Sequence, residues 1–181
     1  MSEPDGSTNL AVGHGADHQI VTHIPRLRRY ARALLGDRYA ADDLVQDTLE
    51  RAWNKLHLWR EGSDLRAWLF AIMHNVFVNQ LRSRRPATEP IVDDLPAVPV
   101  AGRQGEMLEL LDVERALHRL PAEQREVLLL IALEQMSYDE VSRALEIPIG
   151  TVMSRLSRGR ERMRSLVEGT VDASAALKVV K

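Results

Sequence analysis

Residues 137–167, SYDEVSRALEIPIGTVMSRLSRGRERMRSLV, constrain the chain more than any other stretch. Ser137 followed three residues later by Glu140 is a capping-box pattern, so a helix is expected to begin there. Val141, Ala144 and Leu145 give it one apolar stripe. Pro148 breaks it, because proline lacks the backbone donor of a helix interior and biases the preceding residue away from helical geometry. Gly150 and Thr151 open a second helix, with Val152, Leu156, Met163 and Leu166 available to face inward. Its other faces carry Arg155, Arg158, Arg160, Arg162 and Arg164. Two short helices across such a turn form a helix-turn-helix, whose second helix normally enters the DNA major groove. A solvated basic face on an ordinary helical hairpin is the plainer alternative.

Ahead of this stretch the pattern is helical throughout. A helix is expected from Asp17, opened again or kinked at Pro25, with Leu27, Tyr30, Ala31, Leu34 and Leu35 as its apolar face and Gly36 as its stop. Leu44, Val45, Thr48, Leu49, Ala52, Trp53 and Leu56 follow at helical spacing, and Asp43, Gln46, Asp47, Glu50 and Arg51 lie opposite. After the loop Arg60–Ser63, either Ser63 or Asp64 can cap a third helix that buries Leu65, Trp68, Leu69, Ile72, Val76, Phe77 and Leu81. Residues 86–105 hold four of the eight prolines and show no periodicity, which marks a stiff, extended linker. Helical spacing resumes at Met107 and again after Pro121. No strand alternation and no internal repeat is found. The expected fold is all-α: two small helical domains on a Pro-rich tether, at 17–85 and 106–168, with a disordered extension over 1–16 and a frayed tail over 169–181.

The charge distribution says more than the formal net charge of −2. Lysine occurs only at positions 55, 178 and 181, so the basic charge is almost entirely arginine, whose planar fork suits phosphates and guanine edges. The absence of cysteine excludes a disulfide framework and thiolate metal sites, and agrees with a reducing cytosol. No signal peptide or membrane span is expected, since Leu65–Leu81 is interrupted by Arg66, His74, Asn75, Asn79 and Gln80.

Enzyme signatures are missing: no Gly-rich phosphate loop, no G-x-S-x-G and no H-E-x-x-H. Asp42, Asp43, Asp47 and Glu50 read as a solvated or protein-binding face rather than a metal site, since no histidine joins them. His14, His18 and His23 are too loosely spaced for one metal on a helix. No cofactor, metal or catalytic residue is expected. On the third helix, His74, Asn75, Asn79, Gln80, Arg82 and Arg84 combine amides that can bond base edges with arginines that can hold phosphates. Aromatic rings nearby (Trp53, Trp59, Trp68, Phe77) are suited to stacking unpaired bases, although core positions explain most of them.

Three segments carry a family resemblance: GDRYAADDLVQDTLERAW, then DLRAWLFAIMHNVFVNQLRSRR, then LPAEQREVLLLIALEQMSYDEVSRALEIPIGTVMSRLSRGRERM. In this order, over about residues 20–168, they resemble the extracytoplasmic-function sigma factors of the sigma-70 family, small bacterial initiation factors that keep only the second and fourth sigma regions. The resemblance implies that Asp43, Gln46, Asp47 and Glu50 dock on the clamp of the polymerase largest subunit. The fourth region would meet the flap of the second-largest subunit. It implies that Arg60, Ser63, Asp64, Arg66, His74, Asn75, Asn79 and Arg82 lie where the −10 element is read and opened, with a base flipped into a loop pocket. Thr151, Met153, Ser154, Arg155, Ser157, Arg158 and Arg160 match the helix that reads the −35 element. Met153 departs from the family pattern, which places Lys or Arg there, so a shifted base preference is expected. The resemblance further implies a cytoplasmic, non-enzymatic factor acting with core RNA polymerase and promoter DNA, controlled by an anti-sigma protein. The alternatives are a conventional helix-turn-helix regulator acting without polymerase, and a helical adaptor with no DNA contact.

Overall fold

The computed structural model describes the backbone of residues 11–83 and 104–178, and the side chains of 19–83 and 111–169. Among these residues there are seven α-helices and one 3-10 turn, and no strand. Helix α1 (Ala11–Leu35), α2 (Arg38–Lys55) and α3 (Leu65–Ser83) form the N-terminal domain, with the 3-10 turn Leu56–Leu58 after α2. Helices α4 (Gln104–His118), α5 (Ala122–Ala132), α6 (Tyr138–Leu145) and α7 (Ile149–Lys178) form the C-terminal domain. The expected linker falls largely outside the described residues.

Local chemistry sets the boundaries. Helix α1 starts at Ala11, ahead of the expected Asp17, and runs unbroken through Pro25. It stops at Gly36, whose φ of +74° is a left-handed conformation that costs glycine little. Asp37 then caps α2, accepting from the Ala40 amide at 2.6 Å. Of the two candidate caps for α3 the structure selects Asp64, which accepts from the Ala67 amide at 3.1 Å. At α6 the capping box is complete, with Ser137 Oγ accepting from the Glu140 amide at 3.2 Å and Glu140 Oε2 from the Ser137 amide at 2.6 Å. The backbone bond from Ser137 and the Ser137 hydroxyl hold the Glu140 carboxyl down to about 2. Helix α6 ends on Glu146 in a left-handed conformation, and Ser142 Oγ donates to the Ile147 carbonyl at 2.6 Å, clamping the turn before Pro148.

The N-terminal core is built from Leu27, Tyr30, Leu34, Leu44, Val45, Leu69, Met73, Val76 and Phe77. Two expected core residues lie at the surface: Leu81 and Trp53 are each about two-fifths exposed. Leu81 lies near the end of α3, and Trp53 is on the side of α2 away from Leu44 and Ala52. The C-terminal core gathers Leu117, Leu120, Val127, Leu130, Val141, Leu145, Val152 and Leu156.

The two cores are not separate. They join in one apolar cluster where α3 packs along α6 and α1 along α5. At the same seam, a Cβ added to Gly36 would come within 2.8 Å of the His118 imidazole. Burial and the Arg125 guanidinium hold the His118 pKa below its usual value. Arg125 Nη1 lies 3.0 Å from His118 Nδ1 and can only donate, so that ring nitrogen is an unprotonated acceptor.

Candidate nucleic-acid interface

Helix α7 turns Val152 and Leu156 into the core, which sends the residues between them outward. Met153, Ser154, Ser157, Arg158 and Arg160 are all exposed, and Thr151 is half-buried at the first turn. Arg158 is held along the helix by Ser154, its Nε donating to the Ser154 carbonyl at 3.1 Å and its Nη2 to Ser154 Oγ at 3.2 Å. That brace limits the freedom its fork must lose on meeting a base edge. Arg155 is placed differently. Its Nη2 donates to Glu123 Oε2 at 2.7 Å, tying the second helix of the motif to α5. A shallow groove of ≈ 290 Å³ runs between Tyr138, Met153, Ser157, Arg160 and Arg164, so the exposed Met153 side chain forms part of its wall.

The N-terminal domain presents two further faces. On α2, Asp43, Gln46 and Glu50 are exposed, while Asp47 is half-buried and accepts from Gln80 Nε2 at 3.0 Å. The neighbouring Asp42 instead faces Arg28 and Arg32 of α1, at 4.0 and 3.8 Å. Asp43, Arg51, Asn79, Gln80 and Ser83 border a second groove of ≈ 270 Å³ between α2 and α3. The segment between the 3-10 turn and α3 folds back at Gly62, with φ +85°, and Ser63 Oγ donates to the Arg60 carbonyl at 2.6 Å. Arg60, Ser63 and Asp64 are exposed there, and the Trp59 indole N–H behind them is buried without a partner.

Residues on and near α3 divide into two sets. Asn75, Asn79 and Arg82 face solvent, and Asn75 Nδ2 donates to the Ala71 carbonyl at 3.1 Å. Arg66 and His74 face the C-terminal domain. Arg66 Nη1 donates to the Glu134 carbonyl at 3.0 Å and Nη2 to Glu140 Oε1 at 3.2 Å; His74 Nδ1 is 2.7 Å from Glu126 Oε1. Sequence reasoning missed Glu126 and Glu134 altogether. Both are buried, and Glu134 meets Arg26 and Arg29 of α1 as well. Their one signal was a carboxylate at an apolar register: Glu126 precedes Leu129 and Leu130 by three and four residues, and Glu134 follows Val127 and Leu130 by seven and four. No group of three or more His, Asp and Glu side chains is arranged to hold a metal ion among the described residues. The side chains of His14 and His18 lie outside them.

The model of the family described as the Sigma2 domain of PhyR matches residues 20–74, and that of Sigma-70, region 4 matches residues 110–163. The ECF RNA polymerase sigma factor EcfG of Rhodopseudomonas palustris is 36% identical over 157 residues, spanning 84% of this chain and 86% of its own length. This chain belongs to the ECF sigma factors. The sigma factor SigM of Mycobacterium tuberculosis is 32% identical over 80% of this chain and 73% of its own length. Among solved structures, the sigma factor RpoE of Bartonella quintana, crystallised with its anti-sigma factor NepR, superposes with a TM-score of 0.69 at 34% identity, covering 92% of this chain and 99% of that one. CnrH in complex with the cytosolic domain of CnrY gives 0.63 at 28% identity, over 84% and 87%. The sigma factor therefore has both sigma regions in family order, and no described helix is long and apolar enough to cross a membrane.

Proposed function

We propose that this sigma factor, in the cytoplasm, reads a two-part promoter through two separate faces while core polymerase holds both domains. The observation that carries the reading is the outward row Met153, Ser154, Ser157, Arg158 and Arg160, mounted on a doubly capped helix-turn-helix. In this reading the row lies in the major groove of the −35 element. Arg158 acts as a bidentate reader, Thr151 and Arg160 hold phosphates, and Met153 contacts a thymine methyl. Arg155 first positions the helix through Glu123 and reaches DNA from that anchored base.

The acidic face Asp43, Gln46 and Glu50 docks on the polymerase clamp, where a carboxylate row meets a basic partner. Asp47 supports it through Gln80. The C-terminal domain binds the flap. The −10 element is read and opened by Arg60, Ser63, Asp64, Asn75, Asn79 and Arg82, with Arg66 and His74 joining once the C-terminal domain has moved off them. Extracting a base costs a few kcal/mol, which the loop must offset by bonding and stacking. We assign the −10 unit, expected over 17–85, to α1–α3, and the −35 unit, expected over 106–168, to α4–α7, with the linker ending ahead of Gln104 rather than at 105. Because the RpoE of Bartonella quintana is captured with the anti-sigma factor NepR, we assign this chain an anti-sigma partner too.

Run-off transcription with purified core polymerase tests the reading. Initiation that depends on the protein and on both promoter elements is expected. Duplex binding without polymerase, together with no transcript from any promoter of its own genomic neighbourhood, overturns it.

A further inference from the structure

The seam between the domains is built from opposite charges contributed by opposite sides. The Glu134 side chain has no solvent exposure, and all its charged partners come from the N-terminal domain. Arg29 Nη2 donates to its Oε1 at 2.8 Å and to the Leu133 carbonyl at 3.3 Å, and Arg26 Nε lies 3.3 Å from Oε2. Arg66 takes the Glu134 carbonyl and the Glu140 carboxylate, and His74 takes Glu126. A buried carboxylate is costly unless paired, and here the pairing vanishes if the domains part. Glu134 and Glu126 are then solvated, while Arg26, Arg29, Arg66 and His74 remain together on one face of the N-terminal domain. Three guanidinium forks that pair with carboxylates are equally suited to phosphates, because both anions present paired oxygens to the same donors.

We propose that the segment Glu126–Glu140 stands in for nucleic-acid phosphates, masking a phosphate-binding surface made by Arg26, Arg29, Arg66 and His74 until the domains separate. The inference deepens the −10 reading above and rests on it for Arg66 and His74; Arg26 and Arg29 are an added part of the surface. In the closed form this sigma factor competes with DNA for its own cations.

The test uses the full chain, whose lack of cysteine allows spin labels at the exposed positions Lys55→Cys and Arg143→Cys. Glu134→Gln and Glu126→Gln, separately and together, are expected to broaden the interdomain distance distribution measured by pulsed electron resonance. They should also tighten binding of a single-stranded thymidine oligomer about tenfold at low salt, with the gain shrinking as salt rises. Arg26→Gln with Arg29→Gln should open the domains equally but give no gain in binding. Circular dichroism melts confirm that each variant is folded, and the glutamine variants keep side-chain volume.

Unchanged distances in the glutamate variants overturn the inference, as does opening without tighter binding. A gain in the arginine variant equal to that in Glu134→Gln also overturns it, since those arginines then hold no phosphate. The −10 reading fails separately. If promoter strands gain no more than the thymidine oligomer, the masked phosphate surface stands and sequence reading by the loop and α3 does not.

Discussion

The outer face of α7 and the face of α3 that carries Arg66 and His74 are both rich in nitrogen donors, yet they are kept in opposite states. The α7 row is exposed, and its bonds are mostly to itself, as with Arg158 on Ser154. The α3 face is covered, and its donors are engaged by carboxylates from the other domain. A donor braced along its own helix remains available to a base edge. One paired across a seam must exchange partners first. On the reading proposed above, α7 can enter a major groove with the domains together, whereas contact of the α3 face with an opened strand waits for their separation.

The contrast can be broken most forcefully on the covered side. Tyr30 is buried edge-on to Phe70, with ring centroids 5.0 Å apart. Tyr30→Ala is expected to cost about 3–5 kcal/mol, as for other large aromatic truncations, lowering the melting temperature in calorimetry. On the open side, Arg158→Ala should weaken −35-dependent transcription by about 1–3 kcal/mol, a loss of roughly five- to 160-fold, and leave the melting temperature unchanged. An equal loss on a template with a scrambled −35 element would show that Arg158 does not read sequence.

Ser137→Ala removes a cap and should cost about 1 kcal/mol in denaturant unfolding. Its partner makes the same joint sensitive to acid. The folded Glu140 pKa, about 2, lies below the ordinary value of 4.5, so its contribution is fully present above pH 4.5 and is lost as pH falls towards 2. The stability gap between wild type and Glu140→Gln should close over that window in pH-dependent melts. The smallest effect is expected at Met153, where Met153→Arg should change preference at one −35 base pair by about 1 kcal/mol, seen by scanning that position in transcription templates. Identical preference in both proteins would remove Met153 from the reading surface.

The elements legible in the sequence are those decided within a few residues. The Ser137–Glu140 box, the Asp64 cap and the Gly36 stop each need only neighbours along the chain, and each is present. The apolar stripes of α7 and, Trp53 apart, of α2 were equally readable, since 3.6-residue spacing fixes which side faces in. What could not be read depends on distant partners. Glu134 meets Arg29, which is 105 residues away in the chain, and no local rule says that a glutamate past the end of α5 will be sealed from water. His74 and Arg66 show the same limit. Both were readable as polar residues on or beside an interface, but the Glu126 and Glu140 carboxylates that occupy them come from elements that only tertiary packing brings near.

The partial exposure of Arg26 and Arg29, at 42% and 53% of their side chains around a fully enclosed Glu134, sets how firmly the seam holds. Ions reach the outer halves of both pairs, so the attraction weakens over a Debye length of about 8 Å at physiological ionic strength. A two-state joint that is closed ninety-nine times in a hundred lowers the apparent affinity for anything that needs it open by about a hundredfold. On the masking proposed above, the seam sets a threshold on the concentration of factor and polymerase needed to begin, and its height moves with the salt of the cell.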